Sequence, residues 1–374
     1  MWNATGSKIR ILFLIPYLGG GGTERVIQLI ASNLRQSHFE VHLGLVRSAD
    51  KQSREPLPDQ ITVHRIGVRR LRESIVPLCL LIRKLRPDVV LSCITHLNLV
   101  VLMLRPFLPR GLRVLVRQEH AASAGLSQAS TRFIYRKVYP MADRVICQSD
   151  GMARDFINEF GINPDKLVVL HNPVSIKDTD SAVTPASVNG WCNLITIGRL
   201  THEKGQDLLL EALAEVRHDF PQVKLTILGD GEDLEQLQKE RRRLDLCDQV
   251  NFAGYCLHPE RELSRSGIFV LPSRSEGMPN ALLEAAMMGL PIVSTPCCSG
   301  LVDLVRNAPA VWLAKAISSR AIADALCQAL AEMKAINEEK NDPLPRFCHE
   351  FIAPFKLSQA VAAYEEMICE AVRQ

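Results

Sequence analysis

Two doubly wound α/β domains facing across a cleft are predicted for this 374-residue chain by three observations. Short apolar runs alternate with helical patterns from Ile9 to Cys147, the order that builds a parallel sheet with helices on both faces. The same alternation restarts at Leu194, beyond a polar stretch. Between Ile268 and Ser294 it takes its clearest form, strand, loop, helix and strand, with proline or glycine marking the joints. A length of about 150 residues or slightly more per domain agrees with two. The expected boundaries are 1–174 for the first domain, 175–190 for the linker, 191–352 for the second domain and 353–374 for a closing amphipathic helix.

In the first domain Ile9 to Ile15 forms the opening strand. Pro16-Tyr17-Leu18-Gly19-Gly20-Gly21-Gly22 then leads to a helix from about Thr23, where Val26, Ile27, Ile30 and Leu34 recur at helical spacing. As a dinucleotide fingerprint this loop fails: the third glycine of G-x-G-x-x-G falls on Glu24, and the next strand, Val41 to Val46, ends in Arg47 instead of an acid for ribose. A nicotinamide-dependent oxidoreductase is thereby opposed. Strands follow at Ile61 to Ile66, Val89 to Ser92, Val114 to Val116 and Val145 to Cys147. Among them, Val68-Arg69-Arg70-Leu71-Arg72, the apolar Ile75 to Ile82 and Arg83-Lys84-Leu85-Arg86 put basic ends on an apolar centre. Such a segment suits an anionic membrane surface; a core-packed helix with basic ends is the plainer alternative, and Pro77 is expected to interrupt any long regular helix. Arg117-Gln118-Glu119-His120 follows a strand at the ligand end of the sheet, and His96 occupies a comparable strand end.

The second domain opens with Leu194 to Ile197, then Gly198-Arg199-Leu200-Thr201-His202-Glu203-Lys204-Gly205, then a helix through Leu208, Leu209, Ala212, Leu213 and Val216. Arg199 and Lys204 are cations of the kind a pyrophosphate leaving group needs, because fixed positive charge opposes the negative charge that grows as the group departs. Val223 to Leu228 precedes Gly229-Asp230-Gly231, and Val250 to Gly254 precedes Tyr255. Ile268-Phe269-Val270-Leu271 is short and wholly apolar, a strand buried on both faces. Pro272 ends it, Ser273 to Gly277 form a polar loop, Pro279 is expected at the first helical position, and Ala281 to Met287 favour helix. Gly289 is expected to take a left-handed cap, Pro291 forbids continuation, and Ile292-Val293 starts the next strand. Glu276 in the loop and Glu284 on the helix are expected on the order of 10 Å apart, from a helical rise of about 1.5 Å per residue. That is too far to share one proton, so the pair is read as gripping two parts of one long ligand; the alternative is two solvated surface charges.

The run Pro272-Ser273-Arg274-Ser275-Glu276-Gly277-Met278-Pro279-Asn280-Ala281-Leu282-Leu283-Glu284-Ala285 resembles the E-x7-E signature of the retaining, nucleotide-sugar-dependent glycosyltransferases of the GT-B fold, family 4. Gly198 to Gly205 resembles that family's phosphate-binding segment, the glycine run ending at Gly22 its N-terminal loop, and Val168 to Val174 the segment that closes its first domain. The resemblance implies two Rossmann-like domains, the first for the acceptor and the second for the nucleotide sugar, with the closing helix crossing back onto the first. It places Glu276 toward the donor sugar, Glu284 on the ribose hydroxyls, Arg199 and Lys204 on the diphosphate, Gly277, Met278 and Pro279 around the donor, and Tyr255 near the nucleobase. Gly21 and Gly22 then lie beside the donor phosphate and acceptor, and His120 contacts the donor sugar. The implied catalytic set is Glu276, His120, Arg199 and Lys204. Beyond Thr295 the likeness weakens, since Gly300-Leu301-Val302-Asp303 stands for Gly-Pro-x-Glu and Asn307 to Trp312 replaces a glycine-rich segment. The implied reaction moves a sugar, from a UDP-sugar in the favoured case, to a hydroxyl of a cell-envelope glycan or lipid-linked acceptor of lipopolysaccharide, O-antigen or exopolysaccharide synthesis. The alternative is a non-catalytic sugar-nucleotide-binding protein, against which Glu276 and Lys204 both speak.

Composition bears on partners and place. The longest apolar runs, Ile75 to Ile82 and Leu99 to Leu104, fall far short of the roughly 20 residues that span a bilayer. Lys8 and Arg10 before Ile11 to Ile15 mimic a signal peptide, but Pro16 and the glycines replace its cleavage site. The 11 cysteines are scattered, odd in number and without a C-x-x-C pair, and read as reduced thiols in a cytoplasmic protein. Residues 1–180 hold 25 Lys+Arg against 15 Asp+Glu, and the remainder 19 against 26, so the first half is expected to meet an anionic partner. Asp178-Thr179-Asp180 has the D-x-D form used by metal-dependent glycosyltransferases of another fold, but it lies in the linker, and no His/Cys/Asp cluster has metal-site spacing. No metal or other cofactor is expected. The expected partners are a nucleotide-sugar donor, a glycan or lipid-linked acceptor, and the anionic inner membrane, met peripherally from its cytoplasmic face; nucleic acid is not among them.

Overall fold

Unbroken apolar runs become strands buried on both faces, and their order along the chain sets where ligands can approach. The structure is a computed structural model, and the residues it describes are 7–18, 21–48, 57–119, 129–176, 192–340 and 346–373. Gly19, Gly20, His120, Asp178, Asp180 and most of the linker lie outside them. By internal contacts the chain divides into two units, one of residues 1–173 with 354–374 and one of residues 174–353.

The first unit contains β1 (Ile9–Ile15), β2 (Phe39–Arg47), β3 (Thr62–Val68), β4 (Val89–Cys93), β5 (Arg113–Arg117), β6 (Arg144–Cys147) and β7 (Leu167–Val169). All pair in parallel, in the order β3-β2-β1-β4-β5-β6-β7. Along β1 the side chains alternate between two cores. Ile9, Ile11 and Phe13 meet the helix Gly22–Asn33 and the closing helix Leu357–Arg373; Leu12 and Leu14 meet the opposite layer, which includes Ile75–Leu85, Thr95–Leu104, Ala129–Val138 and Asp150–Phe160. The closing helix supplies Tyr364, Met367 and Ile368 to the first of these cores, so this unit is built from both ends of the chain.

The second unit repeats the plan with β8 (Asn193–Ile197), β9 (Lys224–Leu228), β10 (Val250–Gly254), β11 (Ile268–Leu271), β12 (Ile292–Ser294) and β13 (Val311–Leu313). Their order is β10-β9-β8-β11-β12-β13, again all parallel. The helices Gln206–Val216 and Ser319–Lys340 pack together, burying Leu209, Leu213, Leu326 and Leu330. The doubly wound fold class is therefore observed in each unit.

Several local expectations need correction. Pro77 does not interrupt a helix: it is the third residue of Ile75–Leu85, within the first turn, where the N-H it lacks has no helical acceptor anyway. Pro279 is the N-cap and not the first helical residue; its backbone is extended, and its carbonyl accepts from the N-H groups of Leu282 and Leu283. Leu167–Val169 and Val311–Leu313 are sheet-edge strands of three half-buried residues that were not expected as strands. Gly289 does hold the left-handed conformation, at φ 72°.

Candidate active site

In an open parallel sheet, ligands bind outside the carboxyl ends of the strands where the winding reverses. In the second unit that point lies between β8 and β11, which pair through Ile268 with Leu194 and Phe269 with Ile195. The loop Gly198–Gly205 leaves β8 and the loop Pro272–Pro279 leaves β11, so the two segments are brought side by side.

Backbone contact fixes them. Gly205 has φ 68°, and a Cβ added there would stand 2.1 Å from the carbonyl oxygen of Pro272, so a side chain is excluded both by conformation and by space. Side chains complete the seam. Arg274 donates to the carbonyl of His202 at 2.7 Å and makes a bidentate pair with Asp207 at 2.7 and 2.6 Å, while its N-H donates to the carbonyl of Glu203. Burial pushes the Asp207 carboxyl up, but the hydrogen bonds and charge of Arg274 and the nearby backbone N-H groups outweigh it and hold the group below its ordinary value.

Within this frame the Lys204 ammonium lies 2.7 Å from each carboxylate oxygen of Glu276. Glu276 is 7% exposed, so it is not a solvated loop charge. Ser273 donates to its Oε1 at 2.8 Å, and buried Thr295 donates to the Ser273 carbonyl at 2.5 Å, which fixes the loop from beneath. Gly277, Met278 and Pro279 are buried beside Glu276. Arg199 is exposed on the facing loop and enters no ion pair among the described residues, leaving its charge to solvent or ligand. Glu284 is half-buried on the helix Asn280–Met287, and Tyr255 is exposed just past β10, whose final Gly254 carbonyl accepts from Gly229. Among the described residues no group of three or more His, Cys, Asp or Glu is arranged to hold a metal ion.

The first unit reverses its winding between β1 and β4. Gly21 caps the helix that Gly22 begins, and the half-turn is closed by Glu24: a Cβ at Gly21 would stand 2.2 Å from its Oε2. At the end of β4, Ile94 holds φ 79°, which a β-branched residue takes only under constraint and which marks functional places more often than others. His96 is exposed two residues on. Arg117 at the end of β5 is buried and donates to Tyr364 Oη and Asn172 Oδ1, with Gln148 and Asn98 joining the network. His120 itself lies outside the described residues.

Two family models match this chain, one described as "Glycosyl transferases group 1" over residues 192–332 and one as "Glycosyltransferase Family 4" over residues 20–178. The chain is a glycosyltransferase of the GT-B type. Over 311 residues the transferase is 26% identical to the lipopolysaccharide 1,6-galactosyltransferase of Escherichia coli, covering 80% of this chain and 82% of that one. It is also 26% identical over 303 residues to the N-acetylgalactosamine-N,N'-diacetylbacillosaminyl-diphospho-undecaprenol 4-alpha-N-acetylgalactosaminyltransferase of Campylobacter jejuni, covering 77% and 80%. Its fold matches that of HepE from Anabaena, crystallised with UDP and glucose, at a TM-score of 0.78 and 17% identity over 97% of this chain and 100% of that one.

Of the residues singled out from sequence, the transferase brings Lys204 and Glu276 into direct contact, sets Arg199 on the same pair of loops, and starts the helix of Glu284 from them. Ser273, Asp207, Arg274, Thr295 and Glu24 were not singled out. Arg274 stands inside a recognised segment and Asp207 next to one, but nothing in their spacing signals that they pair.

Proposed function

We propose that the transferase moves a sugar from a nucleoside diphosphate sugar, a UDP-sugar in the favoured case, to a hydroxyl of a cell-envelope glycan or lipid-linked acceptor, with retention at the anomeric carbon. The observation that carries this reading is the contact of Lys204 with Glu276 at the switch point between β8 and β11. Retention and membership of family 4 are supported by the E-x7-E spacing and by the family model matched in the first unit. The UDP preference is supported by HepE, crystallised with UDP, and the envelope acceptor by the lipopolysaccharide and undecaprenol-linked substrates named for the two relatives.

In this reading the second unit holds the donor and the first the acceptor. The diphosphate meets Arg199, Lys204 and the N-H groups that open the helix Gln206–Val216, where negative charge is favoured. Glu284 takes the ribose hydroxyls, Tyr255 lies by the base, and Gly277, Met278 and Pro279 shape the wall on which Glu276 faces the sugar. As the bond from the anomeric carbon to the diphosphate oxygen breaks, the acceptor oxygen bonds to that carbon from the same face, and its proton passes to the departing phosphate. Arg199 and Lys204 stabilise the charge left on the leaving group, so no metal is assigned a part. From the first unit, Gly21 and Gly22 lie beside the donor phosphate and the acceptor and His120 contacts the donor sugar, and the reaction is placed at the cytoplasmic face of the inner membrane.

The test is hydrolysis and transfer by the purified protein, with UDP-, GDP- and ADP-sugars and with or without lipid-linked acceptors, the product anomer being read by NMR. Turnover of a UDP-sugar with a retained anomer is expected. Inversion would overturn the mechanism, and donor binding without turnover of any donor would leave a binding protein.

A further inference from the structure

Ten large apolar side chains are exposed among the described residues, and eight of them come from one layer of helices. Single exposed apolar residues need no explanation, but a concentration of them does. The layer covers one face of the seven-stranded sheet, and its helices pack side by side: Ile75–Leu85, Thr95–Leu104 with its extension Arg105–Phe107, Ala129–Val138 and Asp150–Phe160. The helices on the opposite face, Gly22–Asn33 and Leu357–Arg373, show no exposed large apolar side chain among the described residues.

The helix Ile75–Leu85 carries two apolar stripes. Leu78 and Ile82 fill the core, while Val76 and Leu80, equally four apart, are 65% and 61% exposed. A helix that serves only its core needs one stripe. The outward stripe continues onto its neighbours: Arg83 donates to the carbonyl of Phe107 at 3.1 Å, tying the first helix to the end of the second, where Met103 and Phe107 are exposed. Phe133 and Ile134 extend it on the third helix, with the Lys137 ammonium 5.9 Å from the Phe133 ring centroid. Around the first two helices the charge is almost all of one sign, whereas the fourth helix opens on the exposed Asp150. From Thr62 to Gln118, a span described throughout, eight Lys and Arg side chains are exposed against one acid, Glu73.

We propose that this helix layer is the surface by which the transferase lies on an anionic bilayer, its apolar side chains entering the interface and Arg69, Arg72, Lys84, Arg136 and Lys137 meeting the headgroups. A second copy is the poorer occupant, because a two-fold contact would set the same basic frame against itself. The inference deepens the proposed lipid-linked acceptor, and it is read in an assay in which no sugar is transferred.

Co-sedimentation of the full chain with vesicles of phosphatidylcholine, alone or mixed with phosphatidylglycerol, tests it. Pelleting with the mixed vesicles alone, weakened by salt, is expected. Reversing Arg69→Glu, Arg72→Glu and Lys84→Glu together should lower the affinity by about 100-fold or more, and Leu80→Ser with Phe107→Ser by at least about tenfold. The pair Arg242→Glu and Arg243→Glu, exposed in the second unit, should leave binding unchanged. Equal pelleting with both vesicle types, wild-type binding by either face variant, or an equal loss in the control pair would overturn the proposal. So would a wild-type dimer, seen by light scattering, that Leu80→Ser with Phe107→Ser converts to monomer. Vesicle binding without donor turnover would remove the proposed function and leave this surface standing, and turnover without vesicle binding would do the reverse.

Discussion

A diphosphate that draws on Lys204 must compete with Glu276, because the ammonium already lies 2.7 Å from both oxygens of that buried carboxylate. Glu276→Gln removes the competing charge and keeps the shape. UDP binding, measured by calorimetry, is therefore expected to tighten by about fivefold, the equivalent of about 1 kcal/mol for a partly exposed pair, while transfer is lost. Unchanged or weaker UDP binding would falsify the competition. Arg199→Ala and Lys204→Ala oppose the reaction differently, since each removes a charge needed most in the transition state. Each is expected to lower kcat by about 10² to 10³ in protein shown by circular dichroism to be folded; near-normal turnover in both would exclude these cations. Lys204 and Glu276 were legible because each stands in a recognisable spacing with its neighbours. Asp207 and Arg274 were not, because their pairing depends on which strands adjoin, and the pairing of β8 with β11 is absent from either local sequence.

At the scale of elements, the site is two loops held at a fixed separation by a glycine and an ion pair. Gly205→Ala faces the Pro272 carbonyl as well as a left-handed φ, whereas Gly67, with φ 71°, has nothing within 4 Å of an added Cβ. Gly205→Ala is therefore expected to cost more than Gly67→Ala, by about 2 kcal/mol or a Tm lower by about 4 to 8 °C. Equal melting temperatures would show that the loop is not pressed against Pro272. The pair of Arg274 with Asp207 has a pH signature. Because the folded carboxyl lies below its ordinary value, the pair stabilises the fold above that value, and the stabilisation is lost as pH falls through the folded one. Asp207→Asn should thus be less stable than wild type at neutral pH, with the gap in denaturant midpoints closing between about pH 5 and pH 2; a gap independent of pH would count against the pairing. Legibility at this scale follows burial. β1, β4, β8 and β11 read directly as apolar runs because both their faces are covered. β7 and β13, three half-buried residues each at sheet edges, lie in apolar runs too short to tell a strand from other buried chain, and Pro77 misleads because its meaning depends on where its helix begins.

At the scale of the whole molecule, the two units differ in how the chain assembles them. Residues 174–353 are continuous, while the first unit needs 354–374 as well. Without that segment its core loses Tyr364, Met367 and Ile368, each worth about 1.5 to 3 kcal/mol when buried, against a total stability of about 5 to 15 kcal/mol for a domain. A fragment of residues 174–353 is therefore expected to melt cooperatively, and a fragment of residues 1–173 to lack a cooperative transition until residues 354–374 are joined to it. Calorimetry of the three fragments checks this; a sharp transition in 1–173 alone would refute it.

The same discontinuity inverts the usual order of events on the ribosome. Protein is made at about 5 to 20 residues per second, and N-terminal domains generally fold first. Here the sheet of the first unit waits for the helix Leu357–Arg373, made only after the second unit, so roughly 10 to 40 s pass with Val26, Ile27 and Ile30 in place and the side chains that cover their core not yet made. The unit begun second is complete in the meantime. A nascent chain of this transferase therefore leaves the apolar core of its first half uncovered longer than that of its second, and any stall in translation beyond residue 353 lengthens the exposure of that half alone.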